Sequence, residues 1–242
     1  MAARSQEFLE SSALVATTEA PFLDIYRRLL DHFEPQNWWP GDTPYEVIVG
    51  AVLTQRTAWT NVEQAIGNLK AAGALTLRGM LKLHPLTLRK LVRPTGYYNQ
   101  KAARLGAVTR WLVNRFNGDV SKATPIATGE LRAELLAING IGPETADSIL
   151  LYAFNRPVFV VDAYTVRALQ RIGVAEERMN YQRWQALLES RLPRDTTLFN
   201  DFHAQFVALG KNYCRTDPLC RQCPLNSICR TGREKTSTGE QK

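Results

Sequence analysis

The sequence predicts an all-α protein, and three observations predict it. Apolar residues recur at three- and four-residue spacing over most of the chain, Gly and Pro punctuate the stretches between, and a single short run is strand-like. Phe22, Ile25, Tyr26, Leu29 and Phe33 make the first helical face. Gly41-Asp42-Thr43-Pro44 breaks the chain before Tyr45–Leu53, the longest apolar run, which reads as a buried core segment. Val62, Ala65, Ile66 and Leu69 follow at helical spacing, with Gly73 as the stop, and Leu105, Val108, Leu112 and Phe116 repeat the pattern up to Gly118. Further helices fit Leu131–Ile138, Pro143–Phe154, Ala163–Ile172, Tyr181–Leu192 and Leu198–Tyr213. Pro157–Val161 is strand-like, but it is too short and solitary to build a sheet.

The 242 residues are 45% hydrophobic, 22% charged and 9% aromatic, which excludes long disorder, collagen-like repeats and low-complexity fibres. No stretch approaches the roughly 18 unbroken apolar residues of a membrane span. Glu7 and Glu10 stand where a secretory signal would be apolar, so an intracellular protein is expected. Residues 1–18 and 231–242 lack apolar periodicity and are expected to be mobile ends. Breaks at Gly41–Pro44 and Asn155-Arg156-Pro157 fit two domains interleaved in sequence, one over 41–156 and the other over 19–40 with 157–230. Thirty Lys and Arg against 23 Asp and Glu give a formal charge of +7, a surplus that favours a polyanionic partner such as nucleic acid.

Three motifs carry chemistry. In Leu136–Asp147, Gly140-Ile141-Gly142 joins two helices: the glycines make a tight turn, Ile141 can plug the core beneath it, and Pro143 suits a first helical turn. The amides of that helix start can hold a DNA phosphate without reading sequence, although a plain helix–helix connection has the same local pattern. Asp162 ends the apolar run Val160-Val161 and begins a helix. It is an N-cap in the simplest case, and a carboxylate fixed there also suits a reaction that develops positive charge at a sugar carbon. All four cysteines, Cys214, Cys220, Cys223 and Cys229, fall in a C-x5-C-x2-C-x5-C pattern. In a reducing compartment this points to a metal site; four thiolates strung over one short loop suit a [4Fe–4S] cluster better than zinc, whose ligands come as two close pairs. An oxidised cluster would lower the formal +7 to about +5. His32, His84 and His203 follow no metal or triad spacing and read as surface or core residues.

The Gly-Ile-Gly hairpin followed at this spacing by Val161-Asp162 and a helix resembles the helix-hairpin-helix DNA glycosylases of the endonuclease III superfamily. Tyr45–Thr57 is similar to the family's first barrel helix with its Gln-x-Thr turn, here Gln55-Arg56-Thr57, and Gly96–Ala102 is similar to its Gly-x-Tyr-Asn-x-Lys-Ala segment. The likeness runs from about residue 20 to Cys229. It implies a six-helix barrel with the helix-hairpin-helix, plus a terminal-segment domain carrying an iron–sulfur loop whose usual first gap is one residue longer than here. It further implies double-stranded DNA with a damaged base as partner, with Gln55 entering the duplex or contacting the vacated position, and with phosphate contacts from Gly140, Ile141, Gly142, Lys211, Arg215 and Arg221. Nothing calls for an oligomer, since one chain supplies hairpin, carboxylate and cluster.

Bifunctional members of this family carry a Lys two residues after the second hairpin Gly, where this chain has Glu144. A carboxylate cannot form an imine, so the resemblance implies a monofunctional enzyme in which Asp162 steadies the oxocarbenium-like sugar and orients or deprotonates a water. Trp38, Trp39 and Trp59 lie in segments that the family places near the lesion pocket. Electron-rich faces favour a cationic base such as 3-methyladenine, and the hairpin wording resembles that branch, although the best-known branch member with such motifs lacks the cluster cysteines. Two other readings stay open: a glycosylase for mismatched, deaminated or oxidised bases, and a non-catalytic iron–sulfur DNA-binding module.

Overall fold

The computed structural model describes residues 20–175 and 179–237, and among them there are helices and turns but no strand. The α-helices are α1 (Ala20–Phe33), α2 (Pro44–Leu53), α3 (Trp59–Ala71), α4 (Leu77–Lys82), α5 (Pro85–Leu91), α6 (Tyr98–Phe116), α7 (Thr128–Ala137), α8 (Pro143–Ser148), α9 (Ala163–Ile172), α10 (Tyr181–Arg191), α11 (Thr196–Asn212) and α12 (Arg230–Ser237). None is long and apolar enough to cross a membrane. The chain divides into two units: Trp39–Val158, and the described residues of Met1–Trp38 with those of Phe159–Lys242. The N-terminal segment expected to be mobile lies outside the described residues.

In the unit Trp39–Val158, α2 is the central helix. Thr43 caps it by accepting from the Glu46 amide at 3.1 Å, Pro44 fills its first position, and every residue from Tyr45 to Leu53 is buried. A helix covered on all sides must be apolar on all sides, which is why this run shows no amphipathic period. Lys101 of α6 is fully buried, and its ammonium donates to the carbonyls of Leu53 at 2.8 Å and Thr95 at 2.7 Å. Those bonds tie the end of α2 and the 3₁₀ turn Arg93–Thr95 to α6. Burial, with the Arg104 charge behind it, pushes the Lys101 amine down to about 8.

The helix expected over Pro143–Phe154 is interrupted. Its first part is α8, and Ile149–Ala153 is a π-helical turn closed by the Phe154 amide on the Ile149 carbonyl at 3.1 Å. Ile149, Leu150, Leu151 and Ala153 of this turn are buried, continuing the buried run Thr145–Ser148 of α8. Across the hairpin, Arg132 of α7 grips the fully buried Asp147 of α8 through two bonds, Nε–Oδ1 at 2.7 Å and Nη2–Oδ2 at 3.0 Å.

The other unit packs α1, α9, α10 and α11 around an aromatic core in which Phe202 stacks on Phe206 at 4.7 Å and Phe159 meets Phe199 and Phe202 edge-on. The strand-like run is extended but unpaired with any strand. The Phe159 amide donates to Glu189 at 2.8 Å and its carbonyl accepts from Gln185 at 2.8 Å, so side chains of α10 take the place of a ladder. The tail expected to be mobile from Thr231 is helical as far as Ser237. Helix α12 starts against the cysteine loop, where the Gly232 amide donates to Cys229 Sγ at 3.4 Å and a Cβ at Gly232 would lie 3.1 Å from the Asn226 carbonyl oxygen. These local contacts supply the anchoring that the apolar pattern lacks. Residues 238–242 lie outside the described part.

Because Asp147 is buried and bidentate, Asp147→Ala strands Arg132 against the core and is expected to cost about 3 kcal/mol. A urea midpoint lowered with unchanged slope would measure it; an unchanged midpoint would show that the pair does not hold the hairpin.

Candidate active site

The hairpin is built by backbone constraint. Gly140 has φ +84°, and a Cβ there would lie 2.1 Å from Arg104 Nε, so only glycine permits both the turn and the arginine laid against it. Ile141 is buried beneath the turn, its amide bonds back to the Ile138 carbonyl, and Gly142 caps α8 in extended conformation ahead of Pro143. Gln55, in the turn between α2 and α3, reaches this hairpin. Its amide nitrogen donates to the Gly140 carbonyl at 3.1 Å and to Thr145 Oγ1 at 2.9 Å, and its oxygen accepts from Arg104 Nη1. Gln55 is therefore bonded at both ends of its amide. Glu144 is exposed in the first turn of α8.

Asp162 is the N-cap of α9. Its Oδ1 accepts from the Thr165 amide at 2.7 Å and the Thr165 hydroxyl at 2.9 Å, while Oδ2 lies 3.7 Å from His203 Nε2 on α11, an ion pair when that imidazole is protonated. Burial pushes the carboxyl up, but the His203 imidazole and the Thr165 donors outweigh it and hold the group below its usual range. The result is an ionised carboxylate of fixed orientation, able to stabilise adjacent positive charge or to take up a proton.

Trp39 and Trp59 meet edge to face at 5.5 Å, with Tyr152 at 5.3 Å from Trp39, and Gly50 makes room for them: a Cβ there would lie 2.9 Å from Trp39 Nε1. Trp38 belongs to the other unit, where Lys211 Nζ stands 5.8 Å from its ring centroid. Arg215, exposed like Lys211 and Arg221, donates to the Lys211 carbonyl at 3.0 Å.

The four cysteines are free thiols, with Cys214 and Cys229 buried and Cys220 and Cys223 half-buried. Burial pushes Cys223 up to about 11, with the charges of Cys214, Cys229 and Cys220 adding to it. Cys220 and Cys229 are raised by burial first and likewise sense their neighbours, so the four sulfurs form one electrostatic group. Arg171 Nη1 donates to Cys214 Sγ at 3.4 Å. Among the described residues, no three His, Cys, Asp or Glu side chains converge as ligands of a single metal ion.

His203, Arg104 and Tyr152 join these groupings without having been marked by the sequence. His203 lies 41 residues beyond Asp162 on a different helix, and no spacing announces the pair.

Residues 49–194 match the family model of the HhH-GPD superfamily base excision DNA repair proteins. A Methanocaldococcus jannaschii protein, provisionally named a DNA repair glycosylase, is 48% identical over 206 residues, covering 85% of this chain and 94% of its own. The solved structure of an H. pylori 3-methyladenine DNA glycosylase bound to 1,N6-ethenoadenine is 30% identical with a TM-score of 0.68, over 78% of this chain and 97% of that one. A non-covalent endonuclease III–DNA complex shares the fold, with a TM-score of 0.77 at 21% identity over 91% of this chain and 99% of that one. The hairpin and the capped Asp162 lie within the matched residues, and the chain belongs to the HhH-GPD superfamily of base excision DNA repair proteins and is a DNA N-glycosylase.

Proposed function

We propose that the protein is a monofunctional glycosylase for alkylated purines such as 3-methyladenine, acting as a monomer on double-stranded DNA. The observation that carries the reading is that the chain has an ionised, capped Asp162 and, at the hairpin position where an amine nucleophile would stand, a carboxylate, Glu144. With no imine available, the N-glycosidic bond is cleaved by water. Asp162 Oδ1 is committed to Thr165, so Oδ2 is the oxygen that faces the developing oxocarbenium charge or receives the proton of the water. The damaged nucleotide leaves the stack, and Trp39 and Trp59 supply aromatic faces suited to a cationic purine. The H. pylori relative, named for 3-methyladenine and holding a modified adenine, supports that substrate class.

The hairpin at Gly140, Ile141 and Gly142, the Gln55 turn, and exposed Lys211 and Arg215 provide DNA contacts in this reading, in keeping with the DNA-bound relative of the same fold. Cys214, Cys220, Cys223 and Cys229 would hold a [4Fe–4S] cluster. Their spacing, their mutual electrostatic coupling and the donors from Arg171 and Gly232 to sulfur fit such a group. A cluster held there would supply a cross-link that fixes the basic loop, while the hydrolysis in this reading runs through Asp162.

Mass-spectrometric identification of bases released from methylated duplex tests the substrate. Release of 3-methyladenine, with strand breaks only after mild alkali, is expected; breaks before alkali would show another residue acting as lyase nucleophile, and release only from mismatched or deaminated duplexes would move the substrate class.

Asp162→Asn is expected to lower single-turnover base release at least 100-fold while changing duplex affinity less than twofold. Because the folded pKa is depressed, the ionised form persists as pH falls, so the wild-type rate should hold through pH 5 and decline only below the ordinary carboxylate range near 3.8. An acid limb near pH 6 would assign the essential group elsewhere.

Protein purified without oxygen should contain about four irons per chain and absorb broadly near 400 nm. Serine at Cys220 should lower both iron content and thermal midpoint; iron-free protein with one zinc per chain would replace the cluster.

A further inference from the structure

In the turn between α2 and α3, Thr54, Gln55 and Thr57 are each braced by side-chain hydrogen bonds. Thr54 ties back to α2 through its hydroxyl on the Gly50 carbonyl, Gln55 is fastened to the hairpin through Gly140, Thr145 and Arg104, and Thr57 accepts from Asn61 Nδ2 of α3 at 3.1 Å. The Thr57 amide closes the turn on the Thr54 carbonyl at 3.3 Å. Arg56, at the tip, is exposed and has no hydrogen bond or ion pair among the described residues. Its backbone is left-handed at φ +52°, a conformation that glycine would hold without cost and that a side-chain-bearing residue rarely adopts.

An unpaired cation kept on a strained tip calls for a function outside the chain. The turn belongs to the same unit as the hairpin and is hydrogen-bonded to the hairpin backbone itself, so Arg56 is carried on the surface that the reading above gives to DNA. We propose that Arg56 is a DNA-backbone contact whose guanidinium binds a duplex phosphate, and that Gln55 and Arg104 are the struts that hold its turn to the hairpin. The inference rests on the DNA-binding reading and adds a residue to it. Gln55, bonded to Gly140, Thr145 and Arg104, positions its neighbour. A guanidinium matches a phosphate through paired donors and reads no base, so the contact fixes register without adding sequence preference.

The test is the affinity of the full chain for a duplex carrying a tetrahydrofuran abasic analogue, and for the same duplex unmodified, over a series of salt concentrations. Arg56→Ala should weaken both duplexes by about fivefold at low salt and flatten the slope of log affinity against log salt by about 0.9, the signature of one lost phosphate contact. Arg56→Lys should recover most of the affinity. Arg56→Gly should keep or raise the thermal midpoint, since it relieves the left-handed strain, while losing affinity as alanine does. Wild-type affinity and salt slope in Arg56→Ala would overturn the proposal and leave the DNA reading standing. A loss confined to the tetrahydrofuran duplex with unchanged slope would also overturn it, making Arg56 a wedge in the lesion gap. A wild-type chain that bound neither duplex would overturn both readings.

Discussion

Asp162 keeps its charge under burial because donors are fixed around it, and the packing of α9 on α11 serves that requirement. One oxygen is taken by the helix cap itself, so the bond that starts α9 also sets the orientation of the carboxylate. The other depends on His203, which reaches it because α11 approaches α9 closely. Gly210, two helical turns beyond His203, makes that approach possible: a Cβ there would fall 2.1 Å from the Tyr164 ring. Any side chain at 210 would push the helices apart and draw the imidazole away from Asp162. The same helix α9 organises the cysteine loop from its far end. Arg167 donates to the Cys214 carbonyl at 2.6 Å, and Arg171 donates to the carbonyls of Arg215 and of Thr216, the latter at 3.0 Å. The carboxylate and the loop are thus held by opposite ends of one rigid rod.

The other unit solves a separate problem, that of presenting backbone amides on a tight turn without letting the turn collapse. Gly140 supplies the left-handed residue, Ile141 plugs the core, and Arg132–Asp147 locks the two flanking helices from behind. Arg104, laid over Gly140, does more than fill space. By donating to the Gln55 oxygen it decides which end of that amide faces the hairpin carbonyl, so the orientation is fixed by hydrogen bonding and a flipped amide would set donors against donors.

Much of this was legible in the sequence, and the reasons differ by element. Helices with one apolar face announce themselves by period, as Phe22 to Phe33 did for α1, and the Gly-Ile-Gly-Pro run is a local device whose geometry follows from its own residues. The cysteine spacing is equally local. What could not be read depends on residues brought together from far apart. His203 follows Asp162 by 41 positions, Tyr152 joins Trp39 from 113 positions away, and Arg104 meets Gln55 from 49. The π turn after Ser148 escaped for another reason: it changes the hydrogen-bond register inside an expected helix, from i+4 to i+5, and a buried apolar run carries no mark of that register. Helix α12 has no apolar face because its anchor is a glycine against the cysteine loop, and a glycine leaves no mark in a hydrophobic pattern.

Glu144 shows how a change of chemistry can also ease a structural conflict. The first turn of a helix carries a partial positive charge, which favours a carboxylate and disfavours an ammonium by roughly 0.3–1 kcal/mol at an exposed position. A lysine there, as the bifunctional relatives carry, stands against its own helix dipole; the same field lowers the amine pKa and favours its nucleophilic form. Glu144 removes that opposition and the nucleophile with it. Under the proposed hydrolysis the whole of the charge stabilisation then falls to Asp162, a carboxylate whose orientation is fixed by the Thr165 amide and hydroxyl, with His203 Nε2 at 3.7 Å from its second oxygen. The same field bears on substrate choice. In the proposed reading, an anionic side chain beside the hairpin tolerates a cationic purine that a lysine would repel, and the residue that would forfeit the lyase step would also suit the chain to bases that already leave readily.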